Sequence, residues 1–96
     1  MNRNVESIIL NAKYISAGTS LADNEDVKIH RLETLAKSVS EVASNVNLSS
    51  NQKLSFESLL KVIFDLKNLS GQRFRSRATG LDVQVTAFLN ELQLDQ

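Results

Sequence analysis

Residues 49–69 read SSNQKLSFESLLKVIFDLKNL. Ser49 stands three residues ahead of Gln52, which is the spacing of a capping box. In that motif the hydroxyl accepts from the backbone N–H of the third helical residue, whose own side chain reaches back to the cap. Leu54, Phe56, Leu59, Leu60, Val62, Ile63, Phe64, Leu66 and Leu69 follow, and they cover more than one helical face. A helix that is apolar on most sides is buried on most sides. The stretch therefore predicts a helix over about 50–69, the central element of an all-α fold. Lys53, Glu57, Lys61 and Asp65 recur every four residues and mark its wet side as a row of ion pairs.

Upstream, Asn47 to Asn51 is the clearest break in the chain. Before it, Leu32, Leu35, Val39, Val42 and Val46 step by 3, 4, 3 and 4, with Ile29, Ala36 and Ala43 alongside. This seam predicts a helix over about 24–46, capped by Asp23 or Asn24. Its valines are mediocre helix formers, so packing rather than propensity must hold it. Val5, Ile8, Ile9, Ala12 and Ile15 predict a shorter helix over about 4–16, capped by Asn2 or Asn4 and ended by a left-handed Gly18.

Downstream, Leu69-Ser70-Gly71 ends the third helix, and Phe74, Ala78, Leu81, Val85, Phe88 and Leu92 keep an unbroken 4, 3, 4, 3, 4 register. One helix over about 73–93 explains that register, although Gly80 inside it costs about 1 kcal/mol relative to Ala. The alternative is a shorter helix capped by Thr79, with Asp82 completing the box. Leu81, Val83 and Val85 also alternate like a strand, but nothing in the chain offers them a second strand. The whole is a single small antiparallel helical bundle spanning 1–96, with one short and three long helices.

Composition agrees with that fold and narrows the functions. The chain has 96 residues, so two full domains are excluded, and no proline interrupts it. Its 11 basic and 11 acidic side chains cancel, which argues against a generic polyanion binder. Without cysteine there is neither a disulfide framework nor a thiolate metal site. No apolar run approaches the roughly 18 residues of a membrane span, and no signal-peptide core follows Met1. A cytoplasmic protein with no membrane partner is the expectation.

Catalytic chemistry is hard to place. His30 is the sole histidine, and Glu25, Asp26 and Glu33 are its only nearby ligand candidates, a weak metal pattern. As a phosphotransfer histidine it would have Glu33 where a cation is wanted. The glycines are isolated at Gly18, Gly71 and Gly80, so there is no phosphate-cradling loop. No second histidine or nucleophile elbow supports any serine as a nucleophile. Neither an enzymatic role, a cofactor nor a metal is expected.

The local charge asymmetry is more informative. From Lys53 to Arg77 there are six cations and two anions, whereas 78–96 holds three anions and no cation. Arg73, Arg75 and Arg77 beside Phe74 could grip phosphates or an acidic partner surface, although a helix would point Arg75 about 160° away from the other two. The expected function is a regulatory or adaptor protein acting through helical surfaces, of the anti-activator, chaperone or immunity-inhibitor kind. Homodimerisation is expected to bury apolar surface that a small bundle leaves wet. The candidate partner-binding residues are Arg73, Phe74, Arg75, Arg77, Leu81, Val85, Phe88 and Leu92, with Glu91 or Asp95 of the second copy meeting the arginines. The alternative is a small nucleic-acid-binding regulator using Lys67, Arg73, Arg75 and Arg77. A helix-turn-helix arrangement is not favoured, because the helices flanking 69–73 are long and strongly apolar.

Overall fold

The computed structural model describes residues 3–94, with side chains from Val5 to Gln93. Those residues form four helices, α1 (Arg3–Thr19), α2 (Glu25–Ser44), α3 (Ser50–Leu66) and α4 (Gly71–Leu94), and no strand. Each helix packs against two others in a closed ring, α1 on α2, α2 on α3, α3 on α4 and α4 on α1, and the α2–α3 seam is the sparsest. The predicted seams converge on one core. Val5, Ile9 and Ala12 meet Leu32, Leu35, Val39 and Val42 there, together with Leu59, Ile63 and Leu66, and Leu81, Val85, Phe88, Leu89 and Leu92. Phe56 stacks on Phe88 with ring centroids 6.3 Å apart.

The helix starts follow local chemistry. The Asn24 side chain accepts from the Val27 N–H at 2.9 Å, and both bonds of the Ser49–Gln52 capping box are made. The ends depart from expectation. α1 has 17 residues, as many as α3, so it is not a short helix. Asn4 falls inside it rather than ahead of it, and Asn2 lies outside the described residues. Gly18 also stays within α1, since Gly71, at φ 60°, is the one described residue in the left-handed region. α3 stops at Leu66, and Lys67, Asn68 and Leu69 close it with tight bonds back to Phe64, Asp65 and Leu66. α4 runs unbroken through Gly80 for 24 residues, as the register requires.

Two cations of α2 replace the missing helix-end chemistry. Neither α1 nor α3 carries a basic residue in its last turn. Arg31 Nη1 donates to the Gly18 carbonyl at 2.6 Å, and Lys28 Nζ donates to the Leu69 and Lys67 carbonyls at 2.7 and 3.2 Å. The last carbonyls of a helix lack intrahelical donors and carry the negative end of its dipole, so a cation satisfies both needs. Lys28 is buried, with Glu25 Oε1 at 2.8 Å and the Phe74 ring centroid at 5.5 Å.

α3 is not the central element. A ring of four helices has no central member, and Leu54 and Phe64 of α3 are exposed. Lys53, Glu57, Lys61 and Asp65 do face outward, but no two of them close into a salt bridge.

Candidate functional site

The proposed partner-binding residues of α4 separate into two groups. Phe74, Leu81, Val85, Phe88 and Leu92 are buried within this single chain, Phe74 beneath Lys28 of α2 and the other four in the shared core. The seam expected to meet a second molecule is thus occupied by the chain's own helices, because α1 is long enough to complete the ring. Arg73, Arg75 and Arg77 are exposed.

The arginines do not form one cluster. Arg73 and Arg77 line an open cleft with Leu69, Gln72 and Ser76. Arg75 turns toward a separate recess lined by Asp23, Glu25, Lys28 and Phe74. Lys67 lies apart from both, with Nζ 3.6 Å from a Glu33 oxygen and 5.9 Å from the Phe64 ring centroid. No carboxylate among the described residues pairs with any of the three arginines. Glu91 is exposed on α4, and Asp95 lies outside the described residues. His30 is exposed on α2, and among the described residues no three His, Cys, Asp or Glu side chains are grouped to hold a metal ion. No described helix is long and apolar enough to cross a membrane.

Exposed apolar side chains occur on α3, as Leu54 and Phe64, and also along α1 and α4. Leu10, Tyr14 and Leu21 are 64%, 81% and 70% exposed, and Val83 on α4 is 68% exposed. Leu10, Tyr14 and Ala17 share the outer face of α1 by their spacing, as Gly80, Val83 and Ala87 share that of α4. Tyr14, Ala17 and Leu21 line a shallow groove with Gly18 and Arg31. Lys13 Nζ donates to the side chains of Asn90 and Gln93, and Ser16 Oγ donates to Asp82 Oδ1 at 2.8 Å. These bonds hold α1 against α4.

Charge is sparse along the middle of both helices. Lys13 is the only charged residue from Ser7 to Ala22, and Asp82 the only one from Ala78 to Asn90. Both are engaged across the α1–α4 seam. By contrast Glu25, Asp26, Glu33, Lys37 and Glu41 stud α2, and Lys53, Glu57, Lys61 and Asp65 stud α3, all exposed.

Two features escaped the sequence reading although each left a trace there. Lys28 stands four residues before Leu32, on the α2 seam itself, where a charged residue signals a specific buried partner. Leu10, Tyr14, Ala17 and Leu21 make a second helical stripe, set aside from the core stripe of Val5, Ile9 and Ala12. Compared with family models, with curated proteins and with solved structures, the chain matches none of them.

Proposed function

We propose that the chain is a non-enzymatic regulatory or adaptor protein of the cytoplasm, acting by protein–protein contact through an antiparallel helical bundle. The anti-activator, chaperone and immunity-inhibitor classes all work in this way. The carrying observation is the exposed apolar side chains Leu10, Tyr14, Leu21 and Val83, which lie in stretches of α1, its C-terminal turn and α4 whose only charges are Lys13 and Asp82. An apolar patch of that kind costs solubility unless something covers it, and interface cores are depleted in charge. The antiparallel arrangement is supported by the order of contacts, since Lys13 meets Asn90 and Gln93 while Ser16, further along α1, meets the earlier Asp82.

A photo-crosslinking residue placed at Tyr14 in the cell of origin tests this reading. The expected product is a covalent adduct with a protein, absent when the same residue replaces Lys61 on α3. An adduct with nucleic acid, or none at Tyr14, overturns it. One observation favours a second reading, in which Arg73 and Arg77, one turn apart and in no ion pair among the described residues, bind nucleic-acid phosphates. In a gel shift, such binding must weaken with a log–log salt slope of about −0.9 per phosphate neutralised on duplex DNA.

A further inference from the structure

We infer that the groove beside Arg31 receives an acidic side chain of a partner protein, an aspartate or glutamate flanked by bulky apolar residues. The inference rests on the adaptor reading and names the chemistry of the partner segment. Tyr14, Ile15, Ala17, Gly18 and Leu21 line this groove of about 440 Å³ together with Arg31 of α2, so five uncharged residues surround one cation. Tyr14 and Leu21 are largely exposed, and they offer apolar surface for another side chain to cover.

Arg31 is a cation without an anion. Its part-buried guanidinium carries five N–H donors, of which Nη1 meets the Gly18 carbonyl at 2.6 Å. That bond faces only the negative end of the α1 dipole, equivalent to about half an elementary charge. No carboxylate among the described residues pairs with Arg31. The positions three and four residues away on α2 are Val27, Lys28, Thr34 and Leu35, none of them acidic. Asp26, five residues before it, stands about 140° round the helix. Glu25 meets Lys28 and Glu33 meets Lys67, while Asp23 lines the separate recess beside Arg75. On α1 the only charge from Ser7 onward is Lys13, itself a cation.

With Nη1 engaged, the Nε–Nη2 edge remains, and that edge of a guanidinium takes both oxygens of a carboxylate. One cation among uncharged walls matches the single charge of a carboxylate, whereas a doubly charged phosphate would leave a charge uncompensated there. A shallow groove leaves most of a small molecule wet, but a segment of another protein adds contacts beyond the rim. Gly18 keeps the groove open. It lies inside α1 without a positive φ, and a Cβ added there would meet nothing within 4 Å, so neither the backbone nor the interior packing requires glycine. A longer side chain at this position would stand in the groove.

Panning a phage-displayed library of random dodecapeptides against the purified full chain is the test. The enriched peptides are expected to share an aspartate or glutamate beside leucine, isoleucine or phenylalanine. The most enriched peptide, synthesised with a fluorophore, is then titrated with the chain. Exchanging its acid for the matching amide should weaken binding to the wild type at least about tenfold, as loss of a charge-assisted hydrogen bond does. This arm needs no variant of the protein. Arg31→Met should weaken the acidic peptide by as much and should no longer distinguish acid from amide, which ties the acid to this guanidinium. Gly18→Leu should also weaken binding while the helical circular dichroism is retained, and Lys61→Ala on α3 should leave binding unchanged. Enriched peptides that lack an acid, an amide that binds as well as the acid, an Arg31→Met chain that still tells the two apart, or no enrichment at all overturns the inference. The Tyr14 photo-crosslink measures the adaptor reading separately. A protein adduct there, alongside any of those overturning results, keeps that reading and removes only the acidic side chain.

Discussion

Gly71 turns the chain out of the α3 end and into α4 at φ 60°. A side chain there would crowd the following carbonyl, so Gly71→Ala should cost about 1–2 kcal/mol in a urea titration, although nothing lies within 4 Å of the new methyl. Gly80 has neither constraint. Gly80→Ala should raise the stability of the dilute monomer by up to about 1 kcal/mol, the difference in helix propensity, so two glycines of the same helix respond with opposite sign. Lys28 and Arg31 are the other residues that matter singly. Each donates from α2 to carbonyls at the end of another helix, so Lys28→Met should cost about 1–3 kcal/mol by removing the donor to the Lys67 and Leu69 carbonyls, and Arg31→Met less, because the Gly18 carbonyl also accepts from the Leu21 N–H. His30, between them on the exposed side, offers a control at which His30→Ala leaves the urea midpoint in place.

At the scale of the helix, what was legible in the sequence was whatever is decided within one or two turns. Asn24 and the Ser49–Gln52 pair cap their own helices, so their motifs say where α2 and α3 begin. The register of Phe74 to Leu92 carries α4 through Gly80, because tertiary packing of six buried residues outweighs one poor helix former. The helix ends were not legible, because Arg31 and Lys28 reach them from 13 and 41 residues away along the chain. The central place expected for α3 failed for a related reason. Apolar residues on several faces show that burial is available, but not which neighbours supply it, and here Leu54 and Phe64 stay exposed. The inner face of α3 nevertheless follows its periodicity. Leu59→Ala or Ile63→Ala should cost about 2–5 kcal/mol, whereas Lys61→Ala should leave the unfolding midpoint where it was. Phe88→Glu would have separated two copies had the α4 seam been an interface between them. With Phe88 buried against this chain's own core, the substitution should unfold the protein at any concentration, as loss of the helical circular dichroism would report.

The whole molecule distributes its charges unevenly, and that distribution decides how it can associate. Closing the ring uses up all four apolar seams, so a second copy is not needed to complete the core. What remains is an outer surface charged along all of α2 and α3, whereas α1 from Ser7 onward and α4 from Ala78 to Asn90 carry only Lys13 and Asp82, beside the exposed charges of Glu6, Arg73, Arg75, Arg77 and Glu91. The sequence contains this asymmetry as the uncharged run between Ser7 and Tyr14, broken only by Lys13, and its counterpart after Ala78. It becomes readable only once α1 and α4 are known to be neighbours, a fact no local pattern carries. Homodimerisation, the expectation from the sequence, would have a thermal signature whichever face formed it. A dimer that dissociates on unfolding is stabilised by mass action, by about 1.4 kcal/mol when free protein exceeds the dissociation constant tenfold. For a domain of this size that raises the Tm by roughly 7 °C. A dimer's Tm should therefore climb with protein concentration, and a monomer's should not. Added salt should leave the climb intact, because apolar contact is not screened, whereas any phosphate binding by Arg73 and Arg77 should fade over the same range. A wild-type Tm flat across a hundredfold range of concentration would place the protein as a monomer, with Tyr14 and Val83 free for a partner of another kind.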